Sequence, residues 1–143
     1  MAYTYNYPHF ALTVDAVLFV NSDQGLKVLL IRRANEPFKD CWAFPGGYVN
    51  IDESIDKAVR RELAEETNLS NVSLKRLDIF DAIDRDPRER TVSVAYYGFI
   101  ERLNEDVKAG DDAKETKWFF VHNLPELAFD HAIILKKILD VIK

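Results

Sequence analysis

From Gly47 to Leu69 the chain reads GYVNIDESIDKAVRRELAEETNL, and no other stretch limits its possible folds as tightly. Between Ser54 and Thr67 there is neither Gly nor Pro, and Ala, Leu, Arg, Lys and Glu favour helix. At about 100° per residue, Ile55, Ala58, Val59 and Leu63 share a stripe that should face a core. The stripe then changes character: Glu62 and Glu66 continue its line, and Glu65 lies beside them. Carboxylates at i, i+3 and i+4 repel one another, and the macrodipole disfavours anions at a helix C-terminus. Stability alone does not ask for this pattern. Converging oxygen ligands suit Mg²⁺ or Mn²⁺. The helix by itself leaves a second reading open, a solvated acidic patch at a helix end.

The flanks decide between the two. Phe44-Pro45-Gly46-Gly47 precedes the helix and lets the backbone turn tightly and approach a ligand. Gly47, Glu53, Arg61, Glu62, Leu63, Glu65, Glu66 and Leu69 fit the pattern G-x5-E-x7-R-E-U-x-E-E-x-G-U, where U is a bulky aliphatic residue. The chain therefore resembles the Nudix hydrolases, whose signature this is. Asn68 stands where the family has Gly. That position follows the helix and needs the left-handed conformation, which Asn tolerates next best. The segments ALTVDAVLF, DAIDRDPRER, TVSVAYY, GDDAKETKWF and LPELAFDHAIIL extend the likeness. They are similar to the ADP-ribose pyrophosphatase branch and equally to the Nudix domain of NrtR-type regulators. Those regulators carry a winged helix after that domain, and this chain stops at Lys143, so the DNA-reading half is expected to be absent.

Length and composition are consistent with one such domain over residues 1–143, with 48% hydrophobic and 30% charged residues. A formal net charge of −5 argues against a general nucleic-acid surface. Cys41 is the lone cysteine, so no intrachain disulfide can form and a reducing compartment is expected. There is no long apolar run, signal peptide or basic transit segment, and the expectation is a cytoplasmic protein without a membrane partner.

Taken in order, residues 1–9 alternate Tyr3, Tyr5 and Tyr7, as an edge strand or partner-binding arm would, with Pro8 against a central strand. Phe10 to Val20 and Leu26 to Arg32 predict a buried hairpin around the turn Asn21–Gly25. Asp15 interrupts the first strand and must be paired or face a site. Residues 34–43 read as a loop. Val72 to Ile83 and Thr91 to Ile100 predict a second hairpin across the charged turn Asp84–Arg90. Residues 101–116 read as an acidic loop and Trp118 to Val121 as a short last strand. Asp130 should cap a final helix, His131 to Ile142, with one apolar face. Strands with two separate helices give an α/β sandwich with a mixed sheet, and the resemblance implies the Nudix α/β/α sandwich.

The resemblance also implies a chemistry: water attacks a diphosphate joined to another group, and divalent Mg²⁺ or Mn²⁺ neutralises the developing charge. It assigns Glu62, Glu65, Glu66 and the Gly46 carbonyl as metal ligands. It makes Glu62 and Glu65 candidate catalytic groups, with Glu53 and Arg61 as the ion pair that pins loop to helix. A box glutamate, or Asp111, Asp112 or Glu115 from the later loop, is a candidate general base. Arg32 and Arg33 end a strand and are candidate phosphate ligands, with ordinary strand-end solvation as the alternative; Arg85, Arg88 and Arg90 are candidate phosphate or ribose ligands, with a salt-bridged turn as the alternative. Phe44, like Trp42 and Phe38, is a candidate platform for a base, or else packing. The implied partners are a small nucleotide-derived substrate, most directly ADP-ribose, and a second copy of the chain. Another nucleotide sugar, a nucleoside triphosphate and a non-catalytic ADP-ribose sensor are the competing readings.

Overall fold

A computed structural model describes residues 2–101 and 113–142. Its frame is the expected hairpin of β1 (Ala11–Ser22) and β2 (Gly25–Arg33). These strands pair only near their turn, from Phe19↔Val28 to Ser22↔Gly25. Beyond that they part, and each takes a short strand into the gap. β3 (Trp42–Ala43) pairs with β2 at Ile31 and Arg32. β4 (Gly46–Tyr48) pairs with β1 from Thr13 to Asp15. This parting opens the crevice in which the polar residues collect.

The other edge of β1 runs parallel to β6 (Thr91–Ile100), which pairs antiparallel with β5 (Lys75–Phe80). β7 (Ala113–Phe120) lies antiparallel on the free edge of β2. The result is a mixed, seven-stranded sheet. Period-two alternation divides β1 between two cores. Val14, Ala16 and Leu18 pack with Ala58, Val59 and Leu63 of helix α1 (Ile55–Thr67). Val17 and Phe19 pack with Ile134, Leu135 and Ile138 of helix α2 (His131–Val141). Burying each large apolar side chain contributes roughly 1.5–3 kcal/mol, so both layers are held by the sheet they cover. The α/β/α sandwich has the layers expected of it.

Helix α1 begins where its sequence says it should. Ser54 accepts from the Lys57 N–H at 3.2 Å, which satisfies one of the donors a helix start leaves open. It ends at Asn68, whose φ of 63° is left-handed and whose N–H donates to the Ala64 carbonyl at 2.9 Å. The Asn in place of Gly keeps the geometry of the cap.

Four local expectations are corrected. Residues 3–7 form no strand; Tyr3 stacks on Tyr5 and Tyr5 on His9, and all three tyrosines are exposed. The loop at 34–43 ends in β3, and β4 follows it; two or three residues are too few to carry a periodicity. β5 is shorter than Val72–Ile83. β7 starts at Ala113, because the edge of β2 recruits the polar run AKETK that in sequence looks like loop.

Candidate active site

The parted end of β1 and β2 walls a cavity of about 270 Å³. One end of it is acidic. Gly46 packs so closely under β1 that a Cβ would lie 2.1 Å from the Val14 carbonyl oxygen, and a Cβ on Gly47 would lie 2.7 Å from the Glu62 carboxyl. Glycine at 46 lets this backbone lie against β1, and a side chain at 47 would push the Glu62 carboxyl aside. Glu66, buried on α1, accepts the Gly46 N–H at 2.8 Å. Glu62 shares a hydrogen bond with Glu66, and burial, opposed by Arg61, pushes its carboxyl above the ordinary carboxylate range. Two carboxylates held this close, out of water and beside a glycine turn, need a proton or a cation between them. An oxygen-only donor set of this kind fits a hard divalent ion.

Arg61 bolts this end together. Its guanidinium donates to Glu53 at 2.9 Å, to Glu62 at 2.8 Å, to Glu65 at 3.2 Å and to the Tyr48 carbonyl at 3.1 Å. The Arg61 hydrogen bonds, and after them the Asn50 N–H, lower the Glu53 carboxyl to about 2. The expected pair of Glu53 and Arg61 is present as part of a larger hub.

The expected convergence of three glutamates is not. Glu65 points out, its side chain 54% exposed, and lies outside the cavity wall. Among the described residues no three His, Cys, Asp or Glu side chains stand grouped to hold a metal. Arg61 explains this, because it draws Glu65 one turn along the helix surface.

Behind the acidic end lies Asp15, and it does both things asked of it. It is paired, accepting from the Ser93 hydroxyl at 2.6 Å, and it faces the cavity. His131, buried at the start of α2, accepts the Phe44 N–H on Nδ1 at 3.1 Å. A neutral imidazole so engaged carries its proton on Nε2, which lies 3.5 Å from Asp15. Burial lowers the His131 pKa against the opposing pull of Asp15 and Asp130. Phe44 is itself buried, its ring stacked on His131 at 4.7 Å. The platform expected of Phe44 is therefore corrected to packing: the imidazole occupies a face a base would need.

The other end of the cavity is basic. Arg33 donates to the Pro37 carbonyl at 2.8 Å and has no ion-pair partner among the described residues. Burial first, then the charge of Arg88, lowers its pKa. Arg88 is fixed by Asp86 at 2.8 Å and lies between two rings, 5.3 Å from Tyr48 and 5.5 Å from Phe129. Arg85 also lines the wall, but it donates two hydrogen bonds to Asp130, at 2.9 and 2.7 Å, and its side chain is 4% exposed. A guanidinium with that partner is a buried strut, which corrects the substrate-binding role expected of Arg85. This pairing also takes the side chain of Asp130 away from the helix start, where it makes no capping bond.

The remaining candidates fall elsewhere. Arg32 pairs with Asp40 and Glu115 at the sheet edge, so Glu115 is spent in a surface pair away from the cavity. Asp111 and Asp112 lie outside the described residues. Arg90 sits over Phe10, and Trp42 meets Phe119 edge-on. Phe129 and Tyr48 are cavity residues the sequence did not single out. Nothing in spacing marks Phe129; its backbone does, with φ at 51°, a conformation bulky residues rarely adopt.

The family description NUDIX domain fits residues 9–140. The chain is 42% identical over 130 residues to an ADP-ribose pyrophosphatase of Methanocaldococcus jannaschii, covering 91% of this chain and 73% of that one. It is 32% identical to the ADPR responsive transcriptional repressor NtrR of Acinetobacter baylyi, covering 92% of this chain and 54% of the repressor. The NUDIX domain of Shewanella oneidensis NrtR, solved with ADP ribose, superposes with a TM-score of 0.89 at 32% identity, covering 96% of this chain and 91% of that domain. A bifunctional NMN adenylyltransferase/ADP ribose pyrophosphatase of Francisella tularensis, solved with AMP and a manganese ion, superposes at 0.83 with 31% identity, over 97% of this chain and 44% of that one. The likeness covers most of the chain, and the protein belongs to the Nudix family.

Proposed function

We propose that this chain is a metal-dependent pyrophosphohydrolase that cleaves ADP-ribose to AMP and ribose 5-phosphate. The observation that carries the reaction class is a single cavity lined by both paired carboxylates and two guanidinium groups. A diphosphate is the substrate group that matches both. The choice of ADP-ribose rests on the pyrophosphatase relative and on the ADP ribose-bound domain.

Nudix hydrolases use divalent metal ions, and Mg²⁺ or Mn²⁺ is the reading for this site. Glu62, Glu66 and the Gly46 carbonyl would hold the ion, with Glu65 joining only by leaving Arg61. Bound there, it would neutralise phosphate oxygens and activate water. The chain's own residues do the rest. Arg61 keeps Glu62 in register with Glu53 and the loop backbone. Arg33 and Arg88 bind the phosphate that leaves. Water adds to one phosphorus, the bridging P–O bond breaks, and the proton lost by water is taken up by a carboxylate.

The test is a panel of nucleoside diphosphate sugars and nucleoside triphosphates with Mg²⁺, assayed for released phosphomonoester. ADP-ribose should turn over best. A second reading, an ADP-ribose sensor, is favoured by the repressor relative, of which the chain spans 54% of the length. Stable, unhydrolysed ADP-ribose in that panel would select it.

The same reading takes residues 1–143 as one domain, in the cytoplasm, with no nucleic-acid partner. No helix among the described residues is long and apolar enough to cross a membrane. A homodimer is part of the proposal: Tyr3, Tyr5, Tyr7 and Phe10 are exposed on an arm over an open hollow beside Tyr48. Light scattering should give twice the chain mass, and deleting residues 1–9 should weaken the association.

A further inference from the structure

Phe129 has a left-handed backbone in the cavity wall and touches two of its arginines. Its φ of 51° lies in the left-handed region, where a large side chain is strained. Its ring is 4.9 Å from the Arg33 guanidinium and 5.5 Å from that of Arg88. Phe38 backs the ring at 4.8 Å and His131 at 5.5 Å, so it cannot swing away. The two arginines come from distant segments, the end of β2 and the turn before β6, and no hydrogen bond between side chains fixes them to each other.

We infer that Phe129 is a positioning residue: its ring holds Arg33 and Arg88 together as a two-guanidinium clamp for a dianionic phosphate group in the cavity. The inference rests on the diphosphate reading of the site. The physical case is a balance of two terms. Two like charges sharing one ring repel, and the lowered pKa of Arg33, due to burial first and Arg88 next, records that cost. The ring's negative face offsets part of it through two cation–π contacts. An arriving phosphate would offset the remainder and accept from both guanidinium forks. Asp86 fixes one side of Arg88, whereas Arg33 makes no ion pair among the described residues and meets the charges of Glu66 and Asp86 only at longer range. The left-handed backbone aims the ring between the two arginines, and the turn Ala128–Asp130 is locked by the His131 N–H to the Ala128 carbonyl at 3.1 Å and by the Arg85–Asp130 strut.

The test uses three variants and two measurements on the full chain. Phe129→Leu keeps an apolar side chain of similar reach and the same backbone demand but has no ring quadrupole. Phe129→Tyr keeps the ring. Phe129→Gly relieves the backbone and removes both. Binding of inorganic pyrophosphate, with chelator present, is followed by calorimetry. It should weaken about tenfold in the Leu and Gly variants and stay within about twofold in the Tyr variant, the range that loss of two partly buried cation–π contacts implies. In ADP-ribose turnover, KM should rise by a similar factor in the same two variants while kcat changes little. Equal pyrophosphate binding by Phe129→Leu and the unaltered chain would overturn the inference and leave Phe129 as packing. A fall in kcat at constant KM would do the same. If ADP-ribose is not hydrolysed but pyrophosphate binding still separates Leu from Tyr, the clamp stands and the substrate reading falls.

Discussion

The two ends of the cavity are built on opposite plans. The acidic end comes almost entirely from Gly46 to Glu66, and Arg61 ties its members by direct hydrogen bonds to three carboxylates and a backbone carbonyl. The basic end takes Arg33 from β2, Asp86 and Arg88 from the turn before β6, and Phe129 from the approach to α2, and it is held mainly by ring faces. Charge-assisted hydrogen bonds are short and directional, whereas cation–π contacts are softer and tolerate displacement. The first end suits a metal that demands fixed ligands; the second suits a phosphate that arrives, changes charge and leaves.

If this contrast is right, removing a charge from the acidic end should cost far more turnover than any change at the basic end. Glu66→Gln should leave a folded protein and reduce hydrolysis by about 10²–10³-fold, the scale seen when a preorganised charge-stabilising group is lost. Steady-state rates at saturating Mg²⁺, with a melting curve as control, measure it. The strut behind the basic end should matter for stability instead. Arg85→Ala strands Asp130 beside His131 and should cost about 3–5 kcal/mol, read by urea unfolding, because the surviving charge loses its partner in a buried place.

Between these lies Arg61. Arg61→Ala should lower both activity and stability, the latter by about 1–3 kcal/mol, since several charge-assisted bonds go at once in a part-buried site. Exchanging the pair, Glu53→Arg with Arg61→Glu, should not rescue it, because a glutamate at 61 would face Glu62 and Glu65. Rescue would mean that Glu53 is the one partner that matters. The smallest effect is one of pH. The Glu53 carboxyl, depressed from 4.5 to about 2 by Arg61, adds stability that is present above 4.5 and is lost as pH falls through 2. Glu53→Gln should therefore melt at a temperature that falls less steeply with acid across that window. An unchanged slope would mean that the pair carries no linkage.

The contrast also explains what could be read from the chain. The acidic end is local: helical spacing put Glu62 and Glu66 on one line, and the likeness to the Nudix signature added Gly47, Glu53 and Arg61. Asp15 was legible for a related reason: a carboxylate in an apolar strand has to be answered for. Helical spacing puts Glu65 beside Glu62 and Glu66 but carries no sign of the neighbour four residues back that pairs with it. The basic end was legible only as a set of arginines. Whether an arginine meets a ligand or a carboxylate depends on which distant segment folds against it. Arg85 found Asp130, Arg32 found Glu115, and Arg33 found a ring. The parting of β1 from β2 that brings these segments together depends on β3 and β4, too short for any periodic signal.

The claim on which all of this depends is that one diphosphate spans both ends. A crystal structure with Mg²⁺ and ADP-ribose whose bridging oxygen is replaced by methylene measures it directly. The account predicts the metal against Gly46, Glu62 and Glu66, and a phosphate within hydrogen-bonding distance of both Arg33 and Arg88. A ligand seated on the N-terminal arm, or a diphosphate that touches the carboxylate end while both arginines keep to their ring, would contradict it.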